Sequence, residues 1–263
     1  MQESPWGQAP AEAQYLAPGP ATPAGVSALR AVSAAWNDQN FKNNVLLGLV
    51  FLLIPIVGPI ALSGWMCEAH QRLLRRHPNP MPKIDFGDFG DYIKRGLAVF
   101  LSSLVIAIPV MIVVYVFMAA AGFATFAVIA ATNEPILGIA VGIVVGLISI
   151  VVTLALSVVV NAVHTRAELT EDFGKALSFG KVMGYAKATA GTVIVKNLAF
   201  MLIALGIVLV GLMLCYLGVY PAAVLLQIAS MHLRYQIYQD YLAKGGEPIE
   251  LKPPQPLASE ARR

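Results

Sequence analysis

The fold is decided by residues 97–163, which read LAVFLSSLVIAIPVMIVVYVFMAAAGFATFAVIAATNEPILGIAVGIVVGLISIVVTLALSVVVNAV. The only ionisable side chains in this stretch are those of Tyr115 and Glu134. A helix of roughly 20 mostly apolar residues crosses the hydrocarbon core of a bilayer. The polar break Thr132-Asn133-Glu134 divides the stretch into two such lengths. It therefore predicts two membrane-spanning helices joined by a short turn.

The composition of the whole chain indicates the same class of protein. Hydrophobic residues make up 57% of the 263 residues and charged residues only 13%. A soluble domain has about 45–50% apolar and about 25% charged residues. Because a chain this poor in polar groups cannot cover itself in water, lipid must be part of its solvent. The sequence predicts an all-α, polytopic membrane helix bundle.

Two further segments flank the deciding stretch and have the same pattern. We expect three helical hairpins, at about 42–76, 93–166 and 187–238, which together give six transmembrane helices. The prolines around Pro55 leave two alternatives for the first segment, a single kinked span or a hairpin. Residues 165–189 mix charged and apolar side chains, as an amphipathic helix at the membrane interface does.

The ends of the chain have a different composition from the middle. Residues 1–27 and 243–263 are rich in Pro, Ala and Gly, and we expect them to be disordered tails around a membrane domain at 28–242. With three hairpins, all 18 Lys and Arg residues lie on one side of the membrane. The positive-inside rule then places both termini in the cytoplasm.

Three of the four histidines lie in a His-x-Arg triplet where an apolar run meets a charged one. Gathered at one membrane face, these side chains would suit an anionic lipid headgroup. The alternative is simple anchoring, with arginines reaching lipid phosphates. The candidate lipid contacts are His70, Arg72, His164, Arg166, His232 and Arg234.

A stripe of small residues lies on the second helix of the central hairpin. Gly138, Gly142 and Gly146 are spaced by four, which places them on one helix face and lets another backbone approach closely. The partner is either a neighbouring helix of the same chain or a second protein chain. We predict a helix-packing site here, and a homo- or hetero-oligomer if the partner is another chain.

The loop before residue 97 carries the aspartates that most resemble a site. Asp85, Asp88 and Asp91 are spaced by three and would either hold a hard cation or begin a helix at the interface. Cys67 and Cys215 form no metal-binding pattern. We expect no catalytic residue, no metal and no cofactor. The net charge of +3 suits anionic lipid rather than nucleic acid.

Residues 64–97, GWMCEAHQRLLRRHPNPMPKIDFGDFGDYIKRGL, resemble an uncharacterised prokaryotic membrane family, a domain of unknown function. In that family a helix ends in a Gly-aromatic pair and a basic turn, and a loop close to LP-x-FDDWGD follows. Phe89 stands where the family has Trp. The resemblance covers about residues 41–242 and implies helix arrangement but no activity. The matching positions are Gly64-Trp65, Arg72, Met81-Pro82, Ile84-Asp85-Phe86, Phe89-Gly90-Asp91, Gly96-Leu97, Asp172–Leu177 and Gln227–Tyr238.

Taken together, these patterns favour a non-enzymatic scaffold or accessory subunit of a membrane complex, in the inner membrane of a prokaryotic cell. The alternative is a lipid-handling or small-molecule permease, since prolines and glycines that break helices often line transport sites. No ionisable group lies near the middle of a predicted span, although ion-coupled transporters usually need one there.

Overall fold

The computed structural model of the protein describes residues 25–214 and 217–261. That part of the chain is built from helices and contains no strand, which confirms the predicted all-α class. A 3-10 turn at Phe86–Asp88 precedes the fourth helix. The helices are α1 (Ala28–Trp36), α2 (Phe41–Leu53), α3 (Val57–Leu74), α4 (Phe89–Thr132), α5 (Pro135–Thr170), α6 (Phe173–Ala176), α7 (Phe179–Met213), α8 (Val219–Ala243) and α9 (Ala258–Ala261).

The turn between α4 and α5 shows how the central hairpin closes. Asn133 has a left-handed backbone with φ of 55°, and its N–H donates to the carbonyl of Ile129. Pro135 then occupies the first position of α5, where its missing N–H removes no helical bond. Between α7 and α8, residues 215–216 lie outside the described residues, and Cys215 is one of them.

Three helices of the described chain are long and apolar enough to cross a membrane, and the prediction of six was wrong in this respect. They are Phe86–Thr132, which includes the 3-10 turn, Pro135–Thr170 and Phe179–Met213. The first hairpin falls short because α2 has only 13 residues. The 18-residue α3 is apolar only in its first part, since its second part carries buried charges.

The two larger clusters of buried hydrophobic side chains in the described chain hold the bundle together near the polar end of the long helices. The first centres on Trp65 of α3 and Tyr92 of α4, and Trp65 also donates from its indole to the carbonyl of Pro82. The second joins α5, α7 and α8 around Leu169, Tyr185 and Tyr238. Farther along, α4 and α5 expose most of their apolar side chains, as helices surrounded by lipid do.

The chain after α8 differs from the disordered tail that its composition predicts. Residues 247–260, here named the C-terminal strap, run across the polar end of the bundle. Ile249 and Leu257 are buried, and the backbone N–H of Lys252 donates to the carbonyl of Leu169. Four prolines keep the strap from continuing α8 as a helix, and two apolar anchors with several polar bonds order it instead.

Candidate functional site at the polar end of the bundle

Eight charged or titratable side chains from four helices meet at the polar end, where α3 and α5 end and α4 begins. We name this set the ion-pair cluster. All of its members are largely removed from solvent, and the most exposed side chain, that of Arg234, is 11% accessible. The members are Glu68, His70 and Arg72 on α3, Arg75 directly after it, Arg95 on α4, Glu168 on α5, Glu171 directly after it and Arg234 on α8.

Glu168 is the acidic centre of one half of the cluster. One carboxylate oxygen lies 2.7 Å from Nδ1 of His70, on a helix 98 residues away in sequence. Arg234 donates to both carboxylate oxygens. The carbonyl oxygen of Glu168 also accepts from the side-chain amide of Gln71, at 2.9 Å. One residue therefore ties the ends of α3, α5 and α8 together.

Glu171 plays the same part at the end of α5, and its backbone is unusual. Its φ of 48° is in the left-handed region, which non-glycine residues rarely adopt. The carboxylate accepts from Arg95, from Gln71 at 2.8 Å and from Lys252 of the strap at 2.7 Å. The strained backbone is compensated by three charged or polar bonds to other elements.

Glu68 is the third buried carboxylate and lies between two arginines. Arg72, one turn later on α3, and Arg95 on α4 both donate to it. Burial raises the pKa of Glu68, but the positive charges of Arg95 and Arg72 outweigh it and hold the pKa below its usual value. The group therefore stays ionised and holds α3 against α4.

Arg75 is the cluster member with the weakest charge compensation. It donates to the side-chain oxygen of Gln71 and to the carbonyl of Lys252. Burial lowers the pKa of Arg75 from its ordinary value, although the charge of Glu68 acts in the opposite direction. A carbonyl of the strap thus serves as the acceptor for a buried cation.

The predicted His-x-Arg triplets converge in this region. His70, Arg72 and Arg234 belong to the cluster, and Nε2 of His164 lies 2.8 Å from the hydroxyl of Ser103. Arg166 donates to a carbonyl of α6, described below, and His232 is buried. The structure thus gives most of these side chains protein partners, and their contact with anionic lipid stays a prediction.

The three glycines of the predicted packing face lie in different surroundings. A Cβ on Gly138 would lie 2.3 Å from the side chain of Ile129, so α4 fills the space at this glycine. Gly142 and Gly146 face open space, with no atom within 4 Å of a Cβ built on them. Packing within the chain therefore accounts for Gly138 alone, and a partner at the other two glycines stays a prediction.

The loop aspartates go to separate partners. Asp85 accepts from the backbone N–H of Gly87 at 2.7 Å and caps the 3-10 turn. Asp88 is fully buried and accepts from Ser259 of the strap, while Asp91 lies 3.6 Å from the exposed amine of Lys94. Among the described residues, no group of three His, Cys, Asp or Glu side chains is arranged to hold a metal ion.

Sequence reasoning missed the acidic half of the cluster. Glu168 and Glu171 follow the second triplet directly, in the order His164-x-Arg166-x-Glu168. Isolated charges that close an apolar span look like ordinary interfacial residues, so the sequence alone gave no reason to pair them with α3. In the structure these two carboxylates hold helices together, because the charges of buried arginine and carboxylate side chains compensate one another.

Comparison with known proteins identifies a family but no activity. No curated protein and no solved structure matches the chain. The sequence pattern of one family matches residues 47–216, more than half of the chain, and that range runs from α2 through all of α7. The match confirms the resemblance to a family of unknown function, whereas the loop motif within residues 64–97 stays a prediction. The chain belongs to the family described as protein of unknown function DUF4013.

Proposed function

We propose that this chain is a non-enzymatic scaffold or accessory subunit of a membrane complex. The observation that carries the proposal is the contrast between its two ends. Charged side chains lock the polar end, whereas the long apolar helices beyond it are scarcely covered by the rest of the chain. A fixed base that presents uncovered helices in a membrane suits assembly with another membrane protein.

The polar end supports this proposal because its ionic groups bind one another. Breaking a buried ion pair by removing one partner typically destabilises a protein by about 3–5 kcal/mol. Glu68, Glu168 and Glu171 each bind one arginine of another helix, and these contacts oppose the sliding of one helix past another. A transporter whose helices rock during its cycle would have to break several of these contacts.

The central hairpin supplies the surface for a partner. The 44 residues of α4 extend about 66 Å at 1.5 Å per residue, well beyond the roughly 30 Å of a hydrocarbon core. Gly142 and Gly146 form an open strip on α5 where a second helix backbone can approach. We propose that a helix of another copy or another subunit packs there.

Native mass spectrometry in a mild detergent tests this proposal. We expect the wild-type protein to appear with a second polypeptide or as a multiple of 28.0 kDa, and Gly142→Leu to lose that species. Gly122→Leu is the matched control, since Gly122 is equally open and lies at a similar distance from the turn, on α4. A monomeric wild-type protein would contradict the scaffold, and unchanged assembly of Gly142→Leu would contradict the glycine strip.

The membrane and the orientation are part of the same proposal. The apolar helices indicate a membrane-embedded protein, and we propose the inner membrane of a prokaryotic cell with both termini in the cytoplasm. No Lys or Arg occurs between Arg95 and Arg166 or between Lys196 and Arg234, so the positive charges gather at the polar end. Reporter fusions at each terminus that are active only in the cytoplasm test this orientation.

A lipid-handling protein is the second candidate. The observation that favours it is a cavity at the polar end, beside the buried guanidinium of Arg166. Loss of lipid transfer between vesicles on closing this cavity, with assembly intact, would support lipid handling over the scaffold. Transfer that the closed cavity leaves unchanged would contradict this second candidate.

A further inference from the structure

A cavity of about 240 Å³ lies between the end of α5, the start of α7, α8 and the C-terminal strap. It is smaller than the roughly 300–1,000 Å³ of sites for drug-sized ligands. Its volume suits a small polar group rather than an acyl chain. The side chains that matter for its chemistry are Arg166, Lys175, Lys181, Tyr185, Tyr241 and Glu247.

Arg166 distinguishes this cavity from the ion-pair cluster. The residue is 6% exposed, and its Nε and Nη2 both donate to one carbonyl oxygen, that of Lys175, at 3.2 and 2.8 Å. Arg72, Arg95 and Arg234 each hold a carboxylate, whereas no ion pair joins Arg166 to one within residues 25–214 and 217–261. A buried cation with only a carbonyl partner favours an anion in the adjoining space.

The other charges around the cavity are arranged with opposite signs on its two sides. Lys181 is exposed on the α7 side, and Lys175 forms an ion pair with Glu250 of the strap at 2.9 Å. Glu247, also on the strap, lies near enough for its charge to act on Arg166. A ligand with several negative charges would be repelled by the strap. A ligand that carries one anionic and one cationic group matches both sides.

Two tyrosines provide a surface for the cationic group. The rings of Tyr185 and Tyr241 meet edge to face with centroids 4.8 Å apart, and both residues line the cavity. Ring faces attract ammonium groups, and more strongly where water is excluded. Glu247, which also lines the cavity, adds a carboxylate for the same cation.

The position of the cavity along the helices also suits a lipid headgroup. It opens where α5 ends and α7 begins, beside the apolar lengths of both spanning helices. Phe179, one residue before the cavity-lining Gly180, is 79% exposed, and Phe173 of α6 is also exposed. Aromatic side chains exposed beside cations are typical of a membrane interface.

We infer that this cavity binds the headgroup of a zwitterionic phospholipid. The phosphate lies on Arg166 and Lys181, and the ammonium group lies toward Glu247 and the tyrosine rings. The inference goes beyond the scaffold proposal, because a scaffold needs no bound lipid. The lipid site does not depend on assembly with another protein chain.

Native mass spectrometry of the delipidated full chain tests the site with three probes: phosphatidylethanolamine, phosphatidylglycerol and inorganic phosphate. We expect one phosphatidylethanolamine to bind per chain, at least about tenfold more tightly than phosphatidylglycerol, and Arg166→Gln to weaken it by about tenfold or more. Lys187→Gln is the matched control, because Lys187 is an exposed cation of α7 that lies outside the cavity. Equal binding by wild type and Arg166→Gln would overturn the inference.

A second variant keeps the test valid if Arg166→Gln fails to fold. Gly184 lines the cavity and no atom lies within 4 Å of a Cβ built on it, so Gly184→Leu fills the space without displacing the backbone. We expect this variant to lose the bound lipid, while Gly191→Leu, at an equally open glycine of α7, retains it. If inorganic phosphate saturates the site and excludes the lipid, the site binds free phosphate and the lipid assignment is wrong. If Gly184→Leu still binds as much lipid as the wild type, the lipid does not occupy this cavity.

Discussion

Gly64 on α3 and Gly96 on α4 face each other where the backbones of the two helices touch. A Cβ on Gly64 would lie 1.8 Å from the carbonyl oxygen of Tyr92, and one on Gly96 would lie 1.9 Å from that of Ile60. No other residue fits at such distances. The close approach brings the end of α3 beside the start of α4, and so places Glu68 within reach of Arg95.

We expect Gly96→Ala to destabilise the fold by about 3 kcal/mol, because the added methyl group forces apart two backbones that cannot yield. Thermal unfolding in detergent measures this loss. Gly122→Ala is the control, since nothing lies within 4 Å of a Cβ at Gly122 and alanine favours a helix. Equal unfolding temperatures for the two variants would contradict the backbone contact at Gly96.

Hydrophobic length alone predicted the central hairpin, because two apolar runs of spanning length separated by a polar break can form little else. Hydrophobic length also predicted a membrane span at α3, which the structure does not have. The apolar half of α3 continues into Glu68 and Arg72, which a sequence window treats as the end of a span. In the structure these charges are buried against α4 and the strap, an arrangement that depends on contacts distant in sequence.

The candidate site was only half predictable for the same physical reason. The repeated His-x-Arg triplet identified which basic residues share one end of the bundle. Each triplet lies where an apolar run ends, and the predicted hairpins bring these ends to the same membrane face. The partner of His70 is Glu168, 98 residues away, and no spacing rule joins them. The strap was missed because its polar, proline-rich composition resembles disorder, whereas its order comes from anchors such as Leu257.

We expect Glu168→Gln to destabilise the folded state by about 3 kcal/mol, since it leaves Arg234 buried without its counter-charge. Chemical unfolding in mixed micelles, followed by circular dichroism, measures the change. Glu134→Gln serves as the control, because Glu134 lies exposed in the turn between α4 and α5.

The double variant Glu168→Gln with Arg234→Met separates the ion pair from general effects of the substitution. Once both charges are removed, no unpaired ion remains, and we expect the double variant to be more stable than Glu168→Gln alone. Strictly additive losses would show that the two side chains do not interact.

Acid should destabilise the protein through His232. Burial lowers the pKa of His232 from 6.5 to about 4, and the neighbouring His70 adds to this shift. The unfolded chain therefore binds a proton near pH 6.5 that the folded chain does not accept until about pH 4. The stabilising effect is fully present above pH 6.5 and is lost as the pH falls toward 4.

Unfolding temperatures measured between pH 6.5 and 5 test this effect above the range in which Glu68 loses its charge, because the pKa of Glu68 is lowered from its usual 4.5. We expect His232→Gln to flatten the pH dependence in this window, whatever its absolute stability. His77→Gln, a loop variant outside the helices, should keep the wild-type slope. The same slope in all three proteins would exclude His232 as its source.

The last four residues of the strap should detach separately from the rest of it. Leu257 is buried in the first hydrophobic cluster, and the backbone N–H of Ser259 donates to Asp88 at 2.7 Å. In Leu257→Asp a charge replaces the apolar anchor, which favours release of this end into water. The backbone N–H of Ile249 is bonded upstream, to the hydroxyl of Tyr238 at 2.8 Å, and should remain so.

Hydrogen–deuterium exchange of backbone amides measures that release. We expect the amide of Ser259 to exchange at least about tenfold faster in Leu257→Asp, while the amides of Ile249 and Lys252 keep their protection. Gln255→Asp adds the same charge at an exposed position two residues earlier, and should leave all three rates unchanged. If all three amides accelerate together in Leu257→Asp, the strap binds as one unit, whereas unchanged exchange at Ser259 would mean that Leu257 does not hold it.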